Sequence, residues 1–77
     1  MANSLDQRVS RILGQLRGIQ KMVSENRKEA EILQQVSAVK KAIDGLSSEV
    51  VLQYFQKNSS SHDLDEVKEL IKRMVDL

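Results

Sequence analysis

The chain has 77 residues, with no cysteine, proline or tryptophan, one phenylalanine, one tyrosine and a formal net charge of +1. This length accommodates one small domain, 1–77, with an aliphatic core; disulfides and thiolate metal sites are excluded, which leaves oligomerisation as the usual reinforcement of so small a core. The longest apolar run, Val50-Val51-Leu52, is far short of the roughly 20 residues that span a bilayer, and no basic segment followed by an apolar stretch marks the start for export. A cytoplasmic protein without a membrane partner is expected. It carries no nucleophile–base pair, phosphate-cradling glycine loop or paired catalytic carboxylates, so neither an enzyme nor a bound cofactor is expected.

Abundant Glu, Gln, Lys, Leu and Ala, with only three glycines, favour helix throughout, and the fold class expected is all-α with three helices. Ser4 and Gln7 read as a capping box, after which Leu5, Val9, Ile12, Leu16, Ile19 and Val23 recur at spacings of three and four, predicting helix over about 5–24. The polar break Ser24-Glu25-Asn26 precedes a second capping pair, Asn26 with Glu29. Ile32, Val36, Val39, Ile43, Leu46 and Val50 then form a heptad-like stripe over about 27–57, which Gly45 weakens without ending. Asp63 with Glu66 caps a short third helix carrying Leu64, Val67, Leu70, Ile71, Met74 and Val75.

The second helix would be about 46 Å long at 1.5 Å per residue, against roughly 30 Å for a compact globule of this size. It must overhang its own chain. Leu33, Val51 and Phe55 beside the main stripe also need cover, and an antiparallel partner helix is the economical source of it.

Charge is uneven: residues 1–28 hold six Lys/Arg against two acids, 29–57 three against four, and 58–77 three against five. With Arg8 taken as zero, the apolar line of the first helix centres near about 60°, whereas Gln15, Arg11, Gly18, Gly14, Lys21 and Arg17 fall at about 340°, 300°, 280°, 240°, 220° and 180°. A solvated helix face accounts for basic residues opposite a core. Glycines four apart on the same face are costly, however, unless something such as a phosphate backbone or a packed helix approaches closely.

The string Arg11-Ile12-Leu13-Gly14-Gln15-Leu16-Arg17-Gly18-Ile19-Gln20-Lys21-Met22-Val23, followed by Ile32-Leu33-Gln34-Gln35-Val36-Ser37-Ala38-Val39, resembles the copper-, nickel/cobalt- and formaldehyde-sensing repressor family of the CsoR/RcnR/FrmR type. The resemblance implies an antiparallel helical dimer that assembles into a dimer-of-dimers tetramer, binds operator DNA and releases it when an effector binds. It also implies that Arg8, Arg11, Arg17, Lys21, Lys40 and Lys41 face DNA, with Gln15 on the same side of the first helix.

The family's copper sensors place a Cys near the start of the second helix and a His and a Cys near its end. Alignment through Gln35–Val39 puts Glu29, Tyr54 and Asn58 at those positions. Residues 54 and 58 share a helix face, but 29 lies about 38 Å earlier along the same helix, so only an antiparallel partner brings it near them. Hard oxygen donors without a thiol disfavour Cu(I), one histidine (His62) is too few for the family's nickel or cobalt chemistry, and persulfide or formaldehyde chemistry of the family's kinds needs a cysteine. No metal site is expected, the effector is left unnamed, and a Tyr54–Glu29 hydrogen bond across the dimer is expected instead. Each residue also has a role that needs no ligand: Glu29 as a capping acid, Tyr54 as a core aromatic, Asn58 as a helix C-cap, His62 as a loop residue. The expectation is a repressor with a degenerate sensor site; the alternative is a helical oligomerisation or interaction module without effector sensing.

Overall fold

Residues 4–57 and 63–76 are described by a computed structural model. Its helices are α1 Ser4–Ser24, α2 Glu29–Lys57 and α3 Leu64–Val75, with no strand among the described residues. The all-α, three-helix reading holds, and the helix ends differ from those expected only within the usual uncertainty of a terminal turn. Two compact units divide the chain, Met1–Leu46 and Ser47–Leu77, so that α2 contributes to each.

In the first unit, α1 and the first half of α2 form a helical hairpin joined by residues 25–28, a length that forces antiparallel neighbours. Asn26 is not the α2 cap that its spacing to Glu29 suggests. It adopts φ 56° and closes α1: the Arg27 N–H donates to Met22 O at 3.0 Å and the Asn26 N–H to Val23 O at 3.1 Å. This is the six-to-one and five-to-two pattern of a left-handed helix stop, for which Asn is the best residue after Gly. Its left-handed backbone also differs from the extended backbone of an N-cap. The Lys28 carbonyl instead accepts the first bonds of α2, from the Glu31 and Ile32 N–H groups at 3.0 and 3.1 Å. Arg27 Nε pairs with Glu31 Oε2 at 2.9 Å across the start of that helix.

The apolar stripe of α1 is split lengthwise. Leu5, Ile12, Ile19 and Met22 are buried or half-buried, together with Arg8 and Gln15, so the covered face centres at about 10° with Arg8 again as zero. Val9, Leu13, Leu16 and Val23, at about 60° to 140°, are exposed. On α2, Val39 is buried, and Ala38, Ala42 and Gly45 beside it are half-buried. These small residues let α1 lie to one side of the heptad stripe, leaving Leu33 66% and Ile43 39% exposed.

In the second unit, Asp63 caps α3 from an extended backbone, φ −76° and ψ 116°. Its Oδ1 accepts from the Asp65 N–H at 2.9 Å and the Glu66 N–H at 3.4 Å, as its spacing to Glu66 predicts. Arg73 Nε donates to Glu69 Oε1 at 2.8 Å on the exposed side of α3. Val50, Val51, Leu70 and Met74, with Ser47 and Arg73, line an open, mainly apolar groove of about 250 Å³. Val51, expected to need a partner's cover, thus has α3 of its own chain beside it, while Leu64 and Val75 of α3 remain 67% and 73% exposed.

Candidate nucleic-acid interface and effector positions

Helix geometry places Arg17 and Lys21 opposite the covered face of α1 and Arg11 on its flank, together an outward arc, and all three are exposed. Gly14 and Gly18 lie on the same arc, and a Cβ built on either would meet nothing within 4 Å. Their missing side chains answer no crowding among the described residues. Lys40 and Lys41 are exposed on α2.

Arg8 and Gln15 are placed differently. Both are half-buried on the covered face of α1. The Arg8 Nη1 lies 2.9 Å from the point where a Cβ on Gly45 would stand, and Gln15 Oε1 is buried with no hydrogen-bond partner. The basic set is thereby divided into an outward group and one residue turned against α2. The sequence reading did not anticipate this; a glycine in the middle of α2, in line with Ala38 and Ala42, was the available signal.

Of the three positions expected to correspond to effector ligands, Glu29 is exposed at the first residue of α2, and Asn58 lies outside the described residues, as does His62. Tyr54 is half-buried. Its hydroxyl donates to Glu66 Oε2 at 3.4 Å, and its ring meets Phe55 edge to face at a centroid distance of 5.5 Å. Partial desolvation raises the phenol above its ordinary value, the negative charge of Glu66 adds to this, and the Asp63 backbone N–H opposes it by supporting the phenolate. Glu66 is an acceptor that sequence reasoning missed, because its spacing from Asp63 assigned its carboxylate to the helix cap. Among the described residues of one chain, no three His, Cys, Asp or Glu side chains gather into a metal-holding group.

The chain matches, over residues 2–77, the family model described as metal-sensitive transcriptional repressor. It belongs to that family. It is 38% identical over 64 residues to the transcriptional repressor RcnR of Citrobacter koseri, an alignment covering 83% of this chain and 70% of the relative. No solved structure matches. The family comprises transcriptional repressors, not enzymes. No helix among the described residues is long and apolar enough to cross a membrane.

Proposed function

We propose that this metal-sensitive repressor family member binds operator DNA in the cytoplasm as a homo-oligomer, with the outward arc of α1 as its phosphate-contacting surface. The observation that carries this reading is the exposure of Arg11, Arg17 and Lys21 around Gly14 and Gly18, whose positions are open to close approach. Lys40 and Lys41 extend the surface, and the unpartnered buried oxygen of Gln15 stands at its edge. Lys and Arg on such a surface neutralise phosphates and release counterions, whereas glycines let the DNA backbone approach the helix. Specificity then comes from DNA shape and few base contacts presented by that arc.

Oligomerisation is supported by apolar side chains that the single chain leaves open: Val9, Leu13, Leu16 and Val23 on α1, and Leu33, Ile43, Val50 and Leu52 on α2. An antiparallel pairing through α2, doubled into a tetramer, is the arrangement the family resemblance suggests.

The donors at the aligned sensor positions do not fit a thiophilic metal. Glu29, Tyr54 and Asn58 offer a carboxylate, a phenol and an amide, and the raised Tyr54 phenol favours its protonated form over a ligating phenolate. We assign the chain an effector other than thiol-bound copper.

A salt series tests the DNA reading. Each lost phosphate contact reduces the slope of log affinity against log salt by about 0.9, so replacing Arg11, Arg17 and Lys21 together with Ala flattens it by nearly three. An unchanged slope assigns the interface elsewhere, and no DNA binding by the wild type favours the interaction-module alternative.

A further inference from the structure

Arg8 does not share the placement of Arg11, Arg17, Lys21, Lys40 and Lys41. They are exposed, whereas Arg8 is half-buried and has an interaction partner in the structure. Its Nη1 lies 2.9 Å from a would-be Gly45 Cβ, closer than a real Cβ sits, so a side chain at position 45 requires the flexible end of Arg8 to move. Gly45 ends a half-buried line of small residues, Ala38, Ala42 and Gly45, spaced four and three apart on α2. A glycine inside a helix weakens it, and such a residue persists where another group needs the room. Here that group is a guanidinium, planar enough to lie against a helix backbone where the thicker, more strongly hydrated ammonium of Lys fits poorly.

We propose that Arg8 is a positioning residue: its guanidinium seats in the notch left by Gly45 and fixes the rotation of α1 on α2, so that Arg11, Arg17 and Lys21 project from one arc. Its effect on DNA binding is therefore indirect, and that consequence rests on the DNA-binding reading above; the seat itself does not. A direct phosphate ligand and a positioning residue make different marks. Removing a phosphate ligand flattens the salt slope, whereas loosening the arc weakens binding with the number of phosphate contacts largely kept.

The experiment uses the full chain and a mixed-sequence DNA duplex, titrated across a salt series. Arg8→Ala is expected to lower affinity several-fold with the wild-type slope. Gly45→Ala, which removes no charge but displaces the guanidinium, lowers it in the same direction. The double variant binds no worse than Arg8→Ala, and Arg8→Lys does not rescue. Arg17→Ala is the comparison, flattening the slope by about 0.9. A slope flattened by that amount in Arg8→Ala, wild-type affinity in Gly45→Ala, or rescue by Arg8→Lys overturns the proposal. Thermal unfolding tests the seat independently of DNA. Gly45→Ala should raise Tm by about 4 °C in the Arg8→Ala background, where helix propensity acts alone, and by clearly less in the wild type. Equal shifts in both backgrounds overturn the seat. If the wild type binds no duplex at all, the DNA reading fails while this unfolding cycle still decides the Arg8–Gly45 contact.

Discussion

Tyr54 and Asn26 show how single side chains acquire roles that their neighbours in sequence do not announce. Tyr54 donates to Glu66 twelve residues on, and its phenol is raised by partial desolvation first and by the Glu66 charge second. The folded state therefore favours the neutral phenol. Its contribution to stability is complete below the ordinary value of about 10 and is lost as the pH rises through the higher folded value. An ultraviolet absorbance titration should find this sole tyrosine ionising above its ordinary range. Glu66→Gln should bring the midpoint part of the way back, since desolvation remains, and a midpoint unmoved by that substitution would remove Glu66 as a cause. Asn26, at φ 56°, gives a second prediction. Asn26→Ala should cost about 1 kcal/mol, because a Cβ without a compensating side-chain amide is strained in the left-handed region, while Asn26→Gly should be neutral or slightly stabilising. Urea unfolding in which Ala equals Gly would contradict the assigned helix stop.

Among helices, α2 has the less simple task, since its first half receives α1 on the side of Ala38, Ala42 and Gly45 while its heptad stripe is only partly covered. Two stripe residues separate folding from assembly. Val39 is 6% exposed within the single chain, whereas Ile43 is 39% exposed. Val39→Asp buries an unpaired charge and should unfold the hairpin, at a cost of about 3 kcal/mol or more. Ile43→Lys should leave helical circular dichroism in place and dissociate the oligomer, because its charge meets a partner rather than the chain's own core. Gln20→Ser on exposed α1 should change stability by less than about 0.5 kcal/mol. Sedimentation reads the difference: wild type at micromolar concentration should be a dimer or larger, and a folded wild-type monomer would refute the assembly.

For the protein as a whole, the family relationship sets a metal-sensitive transcriptional repressor, and the proposed effector other than thiol-bound copper is open to direct test. Titration with copper, zinc, nickel and cobalt under reducing conditions should give no sub-micromolar binding. One carboxylate with a protonated phenol and an amide supplies too little charge and no soft donor. Tight binding by any of the four, abolished by Glu29→Ala, would reverse that conclusion. The Tyr54–Glu66 bond bears on the same region, since the hydroxyl expected to reach a partner's Glu29 already has an acceptor in its own chain.

The three helices, their approximate ends, the Asp63 cap and the basic outward arc of α1 were legible in the sequence, because each depends on local spacing: a 3.6-residue period, a capping pair, charges on one side of a wheel. The family was legible too, through the contiguous string from Arg11 to Val23. Asn26 was misread because the same residue type suits a helix stop and a helix start, and only its positive φ separates the two. The division of the α1 stripe into covered and open halves, the seating of Arg8 over Gly45, and the choice of Glu66 by Tyr54 could not be read in advance. A helix wheel gives the faces of one element but not the angle at which a neighbour meets it. Here small residues on α2 drew α1 to one side of the stripe, and that lateral offset, a property of two packed surfaces, decided which side chains were turned inward.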